Sequence, residues 1–294
     1  MIISIIITAY NRDHCISNAI NSALSQECLE PYEIIVIDDG STDETRSILN
    51  EFIESSQIQY YFKENGGAAS AKNFGACVAN GDFIIFLDSD DIFYDRYVLD
   101  KFVIEIKNSS IDFSSFDKVS IRKNNESRLD IMHGIDEFAQ SPLTYMLHSP
   151  LNYPGKPPYL FRKETFIKAG MFDESAKWGD AMAFWRHFFV LVKDVSVIKS
   201  IGYVYDQSSD FSVSRGNKNK YRLALSVLYS TYFKNEKNIK SFAFEPVWFL
   251  CMLHYSLKSH DVKRSFLLLL SLLKFGVRKT FSSIVYLLKS KGLL

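Results

Sequence analysis

Asp88, Asp90 and Asp91 place three carboxylates within four residues, directly after the apolar run Phe83-Ile84-Ile85-Phe86-Leu87. Asp is a poor strand former, and like charges on neighbouring residues repel. Such a cluster is tolerable where a cation sits. Oxygen-only ligands suit a hard ion, Mg2+ or Mn2+, of the kind that bridges protein carboxylates and substrate phosphates. A solvated acidic turn capping the next helix explains the same tetrapeptide, so the stretch by itself leaves both readings open. A second acidic group, Asp38-Asp39, closes another apolar run, and Asp180 stands at the start of an amphipathic stretch further on.

The elements that must position these groups are legible in the first ninety residues. Ile2 to Thr8 reads as a buried strand, and Asn11-Arg12-Asp13 opens a helical stretch to about Ser25. Glu33 to Ile37 is a second buried strand. Ser41 with Glu44 has the spacing of a capping box, which predicts a helix from Thr42 to about Ser55. Ile58 to Phe62 is a third strand, and Gly66-Gly67 precedes an Ala-rich helix that Asn80-Gly81 would cap. Phe83 to Leu87 is the fourth strand. This alternation predicts an α/β protein with a doubly wound, mostly parallel sheet flanked by helices. In such sheets ligands bind beyond the carboxyl ends of the strands. Those ends here are Thr8-Ala9-Tyr10-Asn11, Asp38-Asp39-Gly40-Ser41 and Asp88-Ser89-Asp90-Asp91.

No G-x-G-x-x-G follows the first strand, and no G-x-x-x-x-G-K-[ST] is present, so a dinucleotide cofactor and a P-loop are not expected. Phosphates would be held through a metal. Carboxylates at two strand ends suit a nucleoside diphosphate, one meeting base or ribose and another the metal.

Four segments in order resemble the successive motifs of the family 2 inverting glycosyltransferases, which have the GT-A fold. They are Ser4-Ile5-Ile6-Ile7-Thr8-Ala9-Tyr10-Asn11-Arg12, the run from Glu33 to Asp43, the run from Asn65 to Gly75, and Leu87-Asp88-Ser89-Asp90-Asp91. The resemblance implies a nucleotide-sugar donor, with UDP as the expected nucleotide, and Mn2+ or Mg2+ as cofactor. By position it implies that Thr8, Tyr10 and Arg12 line the donor site, that Asp39 binds the uracil edge and that Asp88, with Ser89, faces the ribose. Asp90 would hold the metal. Lys72 stands where the family usually has Arg, supplying charge without a planar fork. Thr8 stands where the family often has Pro.

The stretch Gly170-Met171-Phe172-Asp173-Glu174, followed by Gly179-Asp180, is similar to the family's acceptor-side motif. The resemblance assigns Asp180 as catalytic base, although Gly179 replaces the usual neighbouring acid. Read without the family, Asp180 is better taken as a helix-N-terminal acid favouring the dipole. Trp178, Tyr159 and Arg186 are acceptor-side candidates. Ser212, Ser214 and Arg215 match a closing segment that can fold over the diphosphate.

Between these motifs the expectations are plainer. Arg96 to Asn108 reads as a helix and Ile111 to Ile121 as a strand; Lys123 to Arg128 reads as a polar loop, Asp136 to Leu147 as one short helix, and Ser149 to Pro158 as irregular chain.

The 294 residues carry 34 basic and 34 acidic side chains, so no global charge favours nucleic acid. Cys15, Cys28, Cys77 and Cys251 show neither metal spacing nor a disulfide pattern, which fits a reducing, cytoplasmic location. Met1-Ile2-Ile3-Ser4 lacks the basic region of a signal peptide. From Lys258 onward, basic residues interleave with Phe266 to Leu273 and Ile284 to Leu288. That pattern suits helices lying on an anionic membrane, or a helical pair packed on the catalytic domain. Any membrane contact would be peripheral, at the inner face of the cytoplasmic membrane, because no apolar run reaches the roughly 18 residues of a span.

The expected organisation is a GT-A domain over residues 1–220, with a donor half to about 110 and an acceptor half beyond it, then a helical extension over 221–294. The expected activity is metal-dependent, inverting transfer of a hexose from a UDP-sugar to a hydroxyl of a lipid-linked glycan in surface-polysaccharide assembly. A metal-dependent nucleotidyltransferase and a catalytically silent sugar-nucleotide binding module are the alternatives.

Overall fold

A computed structural model describes residues 1–123, 126–148, 152–175, 180–192, 194–206, 220–241 and 245–273, with Ser283. The chain forms two compact units: Met1–Met132, Gly155–Glu174 and Leu191–Asp210 make the first, and His133–Pro154, Ser175–Val190 and Phe211–Leu294 the second.

The first unit is built on strands β1 (Ile3–Ala9), β2 (Tyr32–Asp38), β3 (Gln59–Phe62) and β4 (Phe83–Asp88), all parallel. Helices α1 (Ile16–Leu24), α2 (Thr45–Glu54) and α3 (Ala68–Val78) connect them. Beyond β4 come β5 (Asp91–Phe93), α4 (Val98–Asn108), β6 (Phe113–Lys123), β7 (Glu126–Ile131), β8 (Lys156–Arg162) and β9 (Val195–Asp206). The nine strands form one sheet in the order β3-β2-β1-β4-β8-β6-β9-β5, with β7 paired to β6. Strand β8 is antiparallel to both β4 and β6, so β6 runs in the direction of β4. The fold is mixed α/β, parallel in its first half.

Both faces of the sheet are covered, which is why its central strands read as unbroken apolar runs. Ile5, Ile7, Val36, Ile85 and Leu87 share a core with α1, α2 and α4 through Ile20, Leu49 and Phe102. The alternate residues face α3, where Gly75 approaches β1 so closely that a Cβ would lie 2.4 Å from Ile6 Cγ2. On that face Phe86 meets the rings of Phe161, Phe166 and Phe172 at 5.9, 5.4 and 5.5 Å. Phe166 belongs to α7 (Lys163–Lys168). This two-sided burial holds the strand ends rigid enough to carry a site.

The second unit is helical: α5 (Ile135–Gln140), α6 (Pro142–His148), α8 (Asp180–Leu191), α9 (Lys220–Ser241), α10 (Glu245–Lys258) and α11 (Val262–Leu273). Leu147, Leu225, Leu228, Trp248, Met252 and Leu268 form its core. The Trp248 indole N–H donates to the Leu147 carbonyl at 2.7 Å. On α11, Leu268 and Leu272 are buried while Phe266, Leu267, Leu269 and Leu270 are exposed. No helix among the described residues is long and apolar enough to cross a membrane.

Several expectations are corrected. Ser41 and Glu44 form no capping box: α2 starts at Thr45, the Ser41 hydroxyl accepts from Asn11 N–H at 3.0 Å, and Asp43 accepts from Thr45 N–H at 3.0 Å. Gly81 does not cap α3, which ends at Val78; its N–H donates to Ser4 Oγ at 2.9 Å where the chain passes too close to β1 for a side chain. Ser127 and Arg128, expected in a polar loop, lie in β7, whose mostly exposed residues carry no burial pattern to read. The expected helix over 136–147 is two helices, broken where Pro142 follows Ser141. Strand β8 begins inside the proline-rich stretch expected to be irregular; its partners on β6 and β4 are Lys156, Leu160, Phe161 and Arg162, which leaves the N–H-less Pro157 and Pro158 outside the ladder.

Candidate active site

The carboxyl ends of β1 and β2 are clasped together. Ala9 lies opposite Asp38 in the ladder, and Asp39 N–H donates to the Ala9 carbonyl at 2.8 Å. Beyond β1 the backbone turns through Asn11 at φ +53°, a conformation Asn tolerates better than most residues. The Asn11 side chain then accepts from Thr42 N–H at 2.8 Å, and Arg12 N–H donates to Thr45 Oγ1 at 2.8 Å. Thr8 is half-buried beside them and Tyr10 is 46% exposed, leaving a ring face to solvent. The Arg12 guanidinium donates to the carbonyls of Tyr10 and Asn11 at 3.2 and 3.1 Å.

Asp38 and Asp39 are both buried and both satisfied by the chain itself. Asp38 accepts from Ser41 N–H at 2.8 Å and from the Tyr60 hydroxyl at 2.9 Å. Burial, and then the bond to Asp38, pushes Tyr60 up to about 12. The Asp39 carboxylate accepts from Lys63 Nζ at 2.6 Å and from the N–H groups of Gly66 and Gly67 at 3.0 and 2.7 Å. Gly67 has φ +88° as it enters α3, so glycine there lets the backbone present its N–H to the acid. Thus Asp39, expected at the uracil edge, also organises the β3–α3 loop. Each oxygen of an ionised carboxylate has two lone pairs, so this use leaves acceptor capacity.

The end of β4 is different. Thr8 lies opposite Asp88 in the ladder. The Asp88 side chain is 51% exposed, with Lys72 Nζ of α3 at 2.7 Å. The Lys72 charge holds the Asp88 carboxyl below the usual carboxylate range, with Arg12 contributing. Asp90 is pushed the other way, first by burial and then by the charge of Asp88. Asp91, buried at the start of β5, is pushed well up by burial and by both neighbouring acids. It accepts from Asp206 N–H at 3.3 Å and from the Tyr203 hydroxyl. Ser89 is buried between them, and Cys15 lies close enough that burial and the Asp90 charge raise its thiol to about 11.

No group of three His, Cys, Asp or Glu side chains among the described residues is arranged as a metal cage. A divalent ion on a nucleoside diphosphate needs only one or two protein carboxylates, the rest of its shell coming from phosphate and water. An exposed Asp88 beside an Asp90 whose proton affinity is raised by burial and then by like charge fits that sparse donor set.

On the acceptor-side motif, Asn73 of α3 is buried and clamps the chain at Phe172: its amide donates to the Phe172 carbonyl and to Glu174 at 2.9 Å each, and accepts from Phe172 N–H at 3.0 Å. This clamp was missed in the sequence; its only signal is a polar residue in an Ala-rich helix. Asp180 opens α8, and its side chain, like all of Trp178, Gly179, Ser212, Ser214 and Arg215, lies outside the described residues. Tyr159 is half-buried on β8, its hydroxyl donating to the Gly155 carbonyl at 3.2 Å. Arg186 is 0% exposed, donates to the Asn152 carbonyl at 3.2 Å and lies over Trp248, with burial bringing its guanidinium down to about 10. That burial gives Arg186 a place in the packing of α8 against Trp248.

Comparison with known proteins bears on this arrangement. Residues 4–181 match the model of glycosyl transferase family 2. An uncharacterized glycosyltransferase of Rickettsia felis is 29% identical over 248 residues, covering 82% of this chain and 38% of the relative. The chain therefore spans well under half the length of that relative. Among solved structures, residues 1–349 of S. aureus TarS in complex with UDP-GlcNAc superpose with a TM-score of 0.63 at 18% identity, covering 87% of this chain and 80% of that one. The mannosyltransferase PcManGT of Pyrobaculum calidifontis, in complex with GDP-Man and Mn2+, gives a TM-score of 0.58 at 14% identity over 99% of this chain and 79% of that one. These two likenesses concern the fold.

Proposed function

The chain belongs to glycosyl transferase family 2, and from that premise we propose that it moves a hexose from a UDP-sugar to a hydroxyl of a glycan acceptor with inversion at C1. The observation that carries the reading is the unbalanced cluster at the end of β4, where Asp90 and Asp91 have raised proton affinity beside an Asp88 kept ionised by Lys72. Burial and neighbouring acids outweigh the Arg12 and Lys72 charges at Asp90, an imbalance that a donor bound with a divalent ion would offset.

In this reading the uracil lies over β1 and β2, against Tyr10 and the remaining lone pair of Asp39, with Thr8 and Arg12 beside it. Asp88 and Ser89 meet the ribose, and Lys72 sits near the diphosphate. Asp90 would hold Mn2+ or Mg2+, which when bound offsets charge on the departing diphosphate. Asp180 takes the proton of the acceptor hydroxyl. A bond forms from that oxygen to C1, the C1–phosphate oxygen bond breaks on the opposite face, and UDP leaves with the electron pair. Trp178 and Tyr159 are proposed to meet the acceptor, and Ser212, Ser214 and Arg215 to close over the diphosphate. Residues 1–220 would form the catalytic domain and 221–294 a helical extension.

The acceptor class we propose is a lipid-linked oligosaccharide of surface-polysaccharide assembly, met at the cytoplasmic face of the membrane. Its support is the exposed apolar face of α11 beside Lys263 and Arg264. Co-sedimentation with anionic vesicles that is lost at high salt is expected; binding indifferent to salt counts against an electrostatic anchor.

The deciding experiment is product analysis after mixing the protein with UDP-sugars, a divalent ion and glycan acceptors. Sugar transfer with release of UDP is expected. Pyrophosphate released from a nucleoside triphosphate would indicate a nucleotidyltransferase, and donor binding with no product a silent binding module. Asp180→Asn should lower transfer by about 10²–10⁴ with donor affinity near wild type, the pattern of a lost general base. Retention of most activity would place the base elsewhere.

A further inference from the structure

Three buried oxygens on β6 have no hydrogen-bond partner: Ser114 Oγ, Ser115 Oγ and Asp117 Oδ1. Asp117 is 5% exposed and Ser115 0%. Lys118 Nζ stands 3.4 Å from the other Asp117 oxygen, which leaves Oδ1 unmatched. Buried polar atoms without partners are rare in native proteins and costly to keep, so such a group implies an occupant that is water or ligand.

Asp117 also sits where the sheet is irregular. Before it, β6 pairs with β8; after it, β6 pairs with β7. On the other side, the register with β9 shifts between Phe116 and Lys118 and again before Ser120. Irregularities of this kind re-aim side chains and gather next to active sites. Gly155 passes directly over the strand at φ +106°, where a Cβ would lie 2.0 Å from Ser115 Oγ.

The direction in which these groups face follows from ring contacts. The Phe116 ring packs on Phe102 of α4 at 5.1 Å, whereas Phe113 packs on Phe161 at 5.5 Å. Alternation therefore turns Ser115 and Asp117 to the face of Phe113 and Phe161. Phe86 of β4 is on that face too, against Phe161, and so is Asp88 two residues later. The level follows from the register. Ile85 lies opposite Leu160, and Leu160 opposite Ser114. Asp88 and Asp117, each three residues further along parallel strands, are level with one another. They are separated by β8 alone, two interstrand spacings or roughly 10 Å.

We propose that Asp117, with Ser115, is the subsite for the hydroxyl groups of the sugar carried by the donor nucleotide. The proposal rests on the donor reading above. A nucleotide laid across β2, β1 and β4 places its ribose at Asp88 and its diphosphate by Asp90, and the next group along the sheet is the hexose, over β8 toward β6. A buried carboxylate can accept from two hydroxyls at once, and it rejects an epimer that leaves one of its lone pairs unmatched.

Calorimetry with UDP and two pairs of C4 epimers, UDP-GlcNAc with UDP-GalNAc and UDP-glucose with UDP-galactose, in Mn2+, tests this on wild type, Asp117→Asn and Ser115→Ala. Asp117→Asn should bind UDP as wild type does, lose at least tenfold in affinity for the preferred UDP-sugar, and discriminate less between epimers. Ser115→Ala should show the same pattern more weakly. Without ligand, Asp117→Asn should melt no lower than wild type, because it removes an unmatched carboxylate. Unchanged UDP-sugar affinity and epimer preference in both variants would overturn the proposal. So would equal losses for UDP and UDP-sugar, or a large drop in melting temperature, which would make Asp117 a support of the fold. Wild-type protein that binds UDP but shows no gain from any sugar also overturns it. Wild-type protein that ignores UDP as well fails the donor reading itself.

Discussion

The acids at the end of β2 and those at the end of β4 make an instructive pair. Both groups close an apolar parallel strand, and both lie at the edge where α/β sheets bind ligands. Asp38 and Asp39 are buried, yet every charge has local donors: Ser41 and Tyr60 for one, Lys63, Gly66 and Gly67 for the other. The Asp88 to Asp91 group has Lys72 against its exposed member and Arg12 nearby, yet its other two carboxyls are still pushed up by burial and by the neighbouring acids. Acids satisfied by their own chain shape loops. Acids buried beside like charges favour a proton or an added positive charge.

Substitutions at the two ends should therefore have opposite signatures. The largest effect is expected at Asp39. Asp39→Ala takes the acceptor from Lys63 and two loop N–H groups, and losing hydrogen bonds to a charged group costs about 1.5–3 kcal/mol. Urea unfolding should show that loss, with weaker UDP binding as a consequence. A variant as stable as wild type that loses only UDP affinity would erase the distinction between the ends and leave Asp39 as a pure ligand contact.

At β4, Asp90→Ala should leave unfolding stability unchanged or raised, because it removes a source of repulsion. Its UDP affinity in Mn2+ should fall at least tenfold, toward the value seen in EDTA, a loss of about 1.4 kcal/mol or more. If calorimetry finds the same Mn2+-dependent affinity in variant and wild type, Asp90 is not the ligand.

The smallest effect sharpens the β2 side. Tyr60→Phe removes one of the two donors to Asp38 and should cost about 0.5–1.5 kcal/mol in unfolding. Loss of the phenol should also remove the absorbance titration of the group held at about 12. UDP affinity should not move; a change there would connect Asp38 to the donor.

Much of the donor side could be read before any coordinates. Strands β1, β2 and β4 are largely apolar on both faces, so they appear as runs whose ends are marked by charges. Gly66-Gly67 and the acid-rich ends then carry the family resemblance within ninety residues of chain. Local information suffices there because each feature arises from a residue and its immediate neighbours.

Elsewhere the deciding contacts are distant in sequence, and nothing local announces them. Asn73 meets Phe172 and Glu174 about a hundred positions away, and its type is the same as that of any surface Asn. Arg186 is an acceptor-side candidate in the sequence, and only the fold shows that Trp248 and the Asn152 carbonyl bury it. Strand β8 hides behind two prolines because its pairing uses the residues on either side of them. The sequence by itself determined the parallel half of the sheet and the acids at its edge, since periodicity and strand-end charge are local properties. Tertiary structure alone decided which acids are satisfied and which are not. A carboxylate's state depends on the donors and charges folded around it, and those come from β3, α3 and β9 as well as from its own strand.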